Sequence, residues 1–83
     1  MICVYVIRSE KDGRYYVGMT KDLERRFQEH ESGKTKSTKG FRPWKLIFTE
    51  SFSSYAEARQ REKYLKSGSG KEFIKNRPRS STE

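Results

Sequence analysis

Ile2-Cys3-Val4-Tyr5-Val6-Ile7 is apolar along its whole length, without the polar alternation of a half-exposed strand. Neither set of alternate side chains suits water, so the run reads as a strand covered from two sides. Glu10-Lys11-Asp12-Gly13 follows with Asp-Gly at its centre, the pair that accepts positive φ in a two-residue hairpin loop, and Arg14 to Gly18 reads as the returning strand. With Asp12 and Gly13 as the loop, Lys11 faces Arg14 and Ser9 faces Tyr16, and Tyr5, Ile7 and Tyr16 share one face. A three-residue loop would reverse that.

The hairpin leads into a helix over Lys21 to Glu31, capped by Thr20, with Asp22 in its first turn and Gly33 beyond its end. Its apolar stripe is Leu23 and Phe27, and Arg26 and His30 complete the same spacing. Ser32 to Arg42 has two glycines, four cations and no acid, which is loop composition. Trp44 to Phe52 is β-rich enough for a third strand. Ser54-Tyr55-Ala56-Glu57 is a capping box opening a second helix that runs to about Lys66, and Ser69-Gly70-Lys71-Glu72 repeats the pattern before a short last helix. The predicted order is β-β-α-β-α-α in a single domain, residues 1–76, with a flexible basic tail over 77–83. A chain of 83 residues has room for one modest core.

Net charge is +8, yet eleven aromatic residues provide more anchoring side chain than a disordered polycation would carry. The apolar run is far shorter than the ~20 residues of a membrane span and no basic segment precedes it, so neither secretion nor a membrane is expected. Cys3 is the only cysteine and His30 the only histidine, which leaves too few donors for a zinc cage or a Cys/His dyad and fits a reducing cytoplasm. Positive charge favours phosphate backbones, because each neutralised phosphate releases counterions. Nucleic acid is the expected partner, and a monomer or weak homodimer the expected state.

Helical spacing in the second helix picks out Tyr55, Ala58, Glu62 and Leu65, which sets a carboxylate inside an apolar stripe. Such a group needs a cation, donors or a metal beside it, and an ion pair with Arg26 or Arg59 would serve as well as an ion. Arg26 and His30, one turn apart, could clamp a phosphate while the imidazole moves a proton, or His30 could be a packed residue. Tyr5 and Tyr16 present two phenols nearby, useful as a base only where a cation or metal-bound water favours ionisation. Lys34, Lys36, Lys39, Arg42 and Lys45, with Phe41 and Trp44 between them, have the make-up of a phosphate-gripping loop with stacking side chains; solubility is the simpler reading.

Cys3-Val4-Tyr5, ten residues, Tyr16-Val17-Gly18, then Asp22-Leu23-Glu24-Arg25-Arg26 with His30 four residues on, strongly resembles the GIY-YIG nuclease superfamily over Ile2 to about Ile74. Small stand-alone bacterial members, similar to the nuclease domain of the excision-repair endonuclease C subunit, look closest. The resemblance implies an α+β fold, a three-stranded antiparallel sheet flanked by helices, and a DNA endonuclease of repair type using one Mg²⁺ or Mn²⁺ ion. It implies catalytic roles for Tyr5, Tyr16, Arg26, His30 and Glu62, with Glu62 as metal ligand, Arg26 offsetting phosphorane charge and Tyr16 favoured as base. Two departures stand out: Cys3 replaces the first motif glycine, and Met19 stands where several relatives have lysine, with Lys21 a stand-in. Asn76 is the one downstream candidate for the asparagine that many relatives carry. With no element built for base readout, recognition is expected to follow DNA structure more than sequence. The alternative is a nucleic-acid binder with weak or absent catalysis.

Overall fold

The computed structural model describes residues 1–77; the predicted tail, apart from Arg77, lies outside them. Strands β1 (Ile2–Ser9) and β2 (Tyr15–Thr20) form the hairpin, followed by α1 (Leu23–Ser32), a short α2 (Lys36–Lys39), β3 (Trp44–Phe52), α3 (Tyr55–Lys66) and α4 (Gly68–Asn76). The sheet is antiparallel in the order β2-β1-β3, the expected α+β architecture with α2 added inside the predicted loop. β1 is central, which explains its apolar character on both faces.

The hairpin connection is longer than a two-residue turn. Ser9 donates its amide to the Arg14 carbonyl at 2.8 Å, leaving Glu10 to Gly13 as a four-residue loop with Gly13 at φ 81°. The pairing becomes Ile7 with Tyr16 and Tyr5 with Gly18. Because the register slips by two residues, side-chain parity is kept, and Tyr5, Ile7 and Tyr16 share a face as expected. Buried Ser9 explains the larger loop: its hydroxyl accepts from the Lys11 and Asp12 amides at 3.0 and 3.2 Å and donates to the Phe41 carbonyl at 2.6 Å.

Val4, Val6 and Val17 pack on Phe48, Ala58, Leu65 and Ile74 beneath α3 and α4. Tyr5 and Ile7 face the other way, onto Trp44, Tyr16, Leu23, Phe27 and Phe41 beneath α1. Each fully buried aliphatic side chain contributes about 1.5–3 kcal/mol. A bulge at Ile47 lets β3 serve both layers: Val6 pairs with Phe48, but Ile7 pairs with Leu46. The extra residue inverts parity, so Trp44 and Phe48, four apart, lie on opposite faces.

Helix boundaries follow side-chain caps. Asp22, not Thr20, caps α1, its carboxylate accepting from the Arg25 amide at 3.2 Å, while Thr20 accepts from the Asp22 amide. Ser54 caps α3 as predicted, accepting from the Glu57 amide at 3.2 Å. Ser67, not Ser69, caps α4, and Gly70 is required there because a Cβ would overlap the Tyr64 carbonyl oxygen. Tyr55, predicted to face the core, is 59% exposed; as the first residue of α3 it precedes the stretch lying on the strands, which begins at Ala58. Among the described residues no helix is long and apolar enough to cross a membrane.

Candidate active site

Cross-strand pairing sets Tyr5 opposite Gly18, and the hydroxyl end of the phenol sits against the glycine. A Cβ at position 18 would fall 2.5 Å from the Tyr5 hydroxyl and 2.7 Å from Cζ, so close approach explains this glycine. Tyr5 is 1% exposed. Burial pushes its phenol up to about 12; Arg26 opposes the rise, and the charges of Tyr16 and Glu62 add to it. Tyr16 is half-buried, its ring 6.4 Å from that of Tyr5 and edge-on to His30 at 4.9 Å.

From α1, Arg26 donates to Glu29 Oε1 at 2.9 Å. Glu29 above all, with the Tyr5 and Tyr16 hydroxyls, holds the guanidinium firmly charged against the cost of burial. His30, one turn on, is fully buried. Its Nε2 lies 2.9 Å from the Tyr5 hydroxyl and its Nδ1 2.8 Å from Thr38 Oγ1. Burial, then the nearby Arg26 charge, lower its pKa, so the ring is neutral. With both nitrogens engaged, neither is open to a phosphate; the packed-residue reading describes its place. Tyr5, Tyr16, Arg26 and His30 thus form one cluster.

Glu62 stands on α3, the helix whose Ala58 and Leu65 pack in the other layer. Its side chain is 13% exposed and paired with Lys66 at 3.0 Å and Arg59 at 3.8 Å, not with Arg26. Its charge is a minor contributor to the raised pKa of Tyr5. Among the described residues no three acids, histidines or cysteines gather as a metal cage. A single carboxylate still fits Mg²⁺, which keeps several waters and is commonly held by one or two carboxylates with substrate phosphates.

Lys34, Lys36, Lys39 and Arg42 are exposed on the segment joining α1 to β3. Arg42 donates to the Lys39 and Glu31 carbonyls at 3.0 and 3.3 Å. Lys45 pairs with Arg8 and projects from the sheet face opposite Trp44. Trp44 is buried, donating Nε1–H to the Thr38 carbonyl at 3.0 Å, so it is no stacking platform. Phe41 is half-buried with the Arg14 guanidinium over its ring at 3.6 Å. Met19 packs in the α3/α4 layer, whereas Lys21 lines a shallow 240 Å³ pocket with Arg25, Arg26 and Glu29. Asn76 ends α4, exposed, its amide 3.5 Å from Glu72. Thr38 and Ser9 escape a reading of the sequence, since a hydroxyl residue in a polar segment carries no periodic signal; only α2 turns Thr38 inward.

A family model described as the GIY-YIG catalytic domain matches residues 1–76. The chain is 49% identical over 63 residues to the UPF0213 protein YazA of Bacillus subtilis, a match covering 75% of this chain and 63% of that one. A UPF0213 protein of Halobacterium salinarum is 48% identical over 64 residues, covering 76% and 82%. The solution NMR structure of the UPF0213 protein BH0048 from Bacillus halodurans superposes with a TM-score of 0.56 at 38% identity, covering 89% of this chain and 82% of that one. The chain belongs to the GIY-YIG nuclease family, among the small UPF0213-like proteins.

Proposed function

We propose that the protein is a divalent-metal-dependent DNA endonuclease that hydrolyses phosphodiester bonds and recognises DNA structure more than sequence. The observation supporting this best is the buried Tyr5 hydroxyl 2.9 Å from His30, with Tyr16 edge-on to the same ring and Arg26 one turn away on α1, beside a cationic segment. Tyr16, the more accessible phenol, serves as general base toward the attacking water. Tyr5 keeps its proton, consistent with its raised pKa, and orients the site. Arg26 offsets charge that develops on the phosphorane. His30 acts from behind by fixing Tyr5. Glu62 would hold a Mg²⁺ or Mn²⁺ ion, which supplies Lewis-acid polarisation of the phosphate and stabilises the leaving oxyanion. Lys34, Lys36, Lys39 and Arg42 grip the backbone without reading bases. The single free thiol suits action on DNA in a reducing cytoplasm, as in repair.

A binder with weak catalysis is the second reading, favoured by the two cations that already hold Glu62. Nicking of plasmid, flap and loop substrates with Mg²⁺ separates the two. The nuclease reading requires cleavage by the wild type and its loss in Glu62→Ala with DNA binding retained. Binding without cleavage of any substrate overturns it.

A further inference from the structure

His30 is a fully buried ring with a hydrogen bond on each nitrogen, to Tyr5 on one side and Thr38 on the other. A neutral imidazole carries one proton, so one of these bonds is donated and the other accepted. The Thr38 hydroxyl decides which. It has two acceptors in reach: His30 Nδ1 at 2.8 Å, a distance typical of a good O–H donor, and the Thr35 carbonyl at 3.4 Å, near the limit of a hydrogen bond. Donation to the nearer acceptor leaves the ring proton on Nε2, pointing at the Tyr5 oxygen.

We propose that Thr38 is a positioning residue: its hydroxyl donates to His30 Nδ1, fixes the imidazole as the Nε2–H tautomer, and thereby makes the Tyr5 oxygen an acceptor. The phenol's own proton is then not committed to His30. The same residue ties the cationic segment to the site. Thr38 is fully buried between exposed Lys36 and Lys39, its carbonyl accepts from Trp44 Nε1 at 3.0 Å, and its amide donates to the Thr35 carbonyl at 3.1 Å. Where α2 sits therefore sets where the imidazole sits, and phosphate contacts made by the flanking lysines bear on Tyr5 through two short hydrogen bonds. The tautomer belongs to the fold; its effect on rate rests on the nuclease reading above.

The test uses the full chain and the variants Thr38→Val and Thr38→Ser. Nitrogen NMR of the His30 ring should show a pyridine-type Nδ1 and a pyrrole-type Nε2 in the wild type and in Thr38→Ser. Thr38→Val should lose that fixed pattern. With plasmid DNA and Mg²⁺, Thr38→Val should lower kcat roughly 10- to 100-fold, matching one buried hydrogen-bond partner left unpaired, while KM changes little and Thr38→Ser restores kcat. A wild-type ring carrying its proton on Nδ1 overturns the proposal, and so does a Thr38→Val protein with wild-type spectra and kcat. If no variant cleaves DNA, the ring spectra still decide the tautomer while the nuclease reading fails separately. If Thr38→Val does not fold, the wild-type and Thr38→Ser spectra decide alone.

Discussion

Replacing Gly18 with alanine should damage the molecule far more than one methyl group implies. The new Cβ would lie 2.5 Å from the Tyr5 hydroxyl, 2.7 Å from Cζ and 3.1 Å from Cε1. A flexible side-chain tip could swing clear, but Tyr5 is a rigid ring, 1% exposed and bonded to His30 at 2.9 Å. Overpacking of this kind costs about 1–3 kcal/mol. If the phenol moves, His30 loses a partner inside the protein, which costs about 1–3 kcal/mol more. The combined cost of about 2–6 kcal/mol is a large part of the ~4–12 kcal/mol expected for a domain of this size. Urea unfolding at pH 7.5, followed by circular dichroism, would read it as a lower midpoint at constant slope. Tyr5→Phe removes the nearest clashing atom, so the double variant should be less destabilised than the sum of the singles, by about 1 kcal/mol or more. Strict additivity, or a cost below about 0.5 kcal/mol for Gly18→Ala, would refute the close-approach argument.

Arg26→Ala should raise the barrier to DNA cleavage by about 2–4 kcal/mol, read as kcat/KM in Mg²⁺, and an unchanged rate would remove Arg26 from the chemistry. The folded state lowers the pKa of His30, so the unfolded chain binds the extra proton first; stability should fall as the pH drops below about 6.5, the unfolded value, and level off once the folded ring is protonated. Urea midpoints between pH 7.5 and 5 would show this, and His30→Gln should flatten the dependence. Lys36→Ala and Lys39→Ala should weaken DNA binding about equally on unrelated sequences and lower the salt slope by about 1 each, while Lys45→Ala, on the opposite face, should cost less; fluorescence anisotropy across a salt series would check all three.

The sheet and its flanking helices were legible wherever one local signal dominated. The apolar run of β1 marks a central strand, and the Ser54 capping box starts α3 at Tyr55, because both signals act within a few residues. The grouping of Tyr5 with Tyr16 survived a wrong loop length because the true register differs by an even number. What escaped depends on distant partners. Ser9 builds a four-residue loop by bonding to Phe41, 32 positions away. The bulge in β3 arises from its pairing with β1, so the inward turn of Trp44 and the outward turn of Lys45 have no signature in their own segment. Glu62 was legible as a carboxylate in an apolar stripe, and Arg59 as one of its cations, because neighbours one helical turn apart act locally; Lys66, at the same kind of spacing, holds its other oxygen, and Arg26, on a distant helix, does not pair with it.

Ile47 shows how much spatial information one residue can hold. Were it forced into the ladder opposite Ile7 instead of bulging out, everything on its N-terminal side would slip one place along β1 and change face. The indole that props up α2 would leave for the helical layer behind, and the ammonium of Lys45 would be driven in among the tyrosines. A single supernumerary residue thus keeps a wall of the phenol pocket on one side of the molecule while the same strand anchors the core on the other.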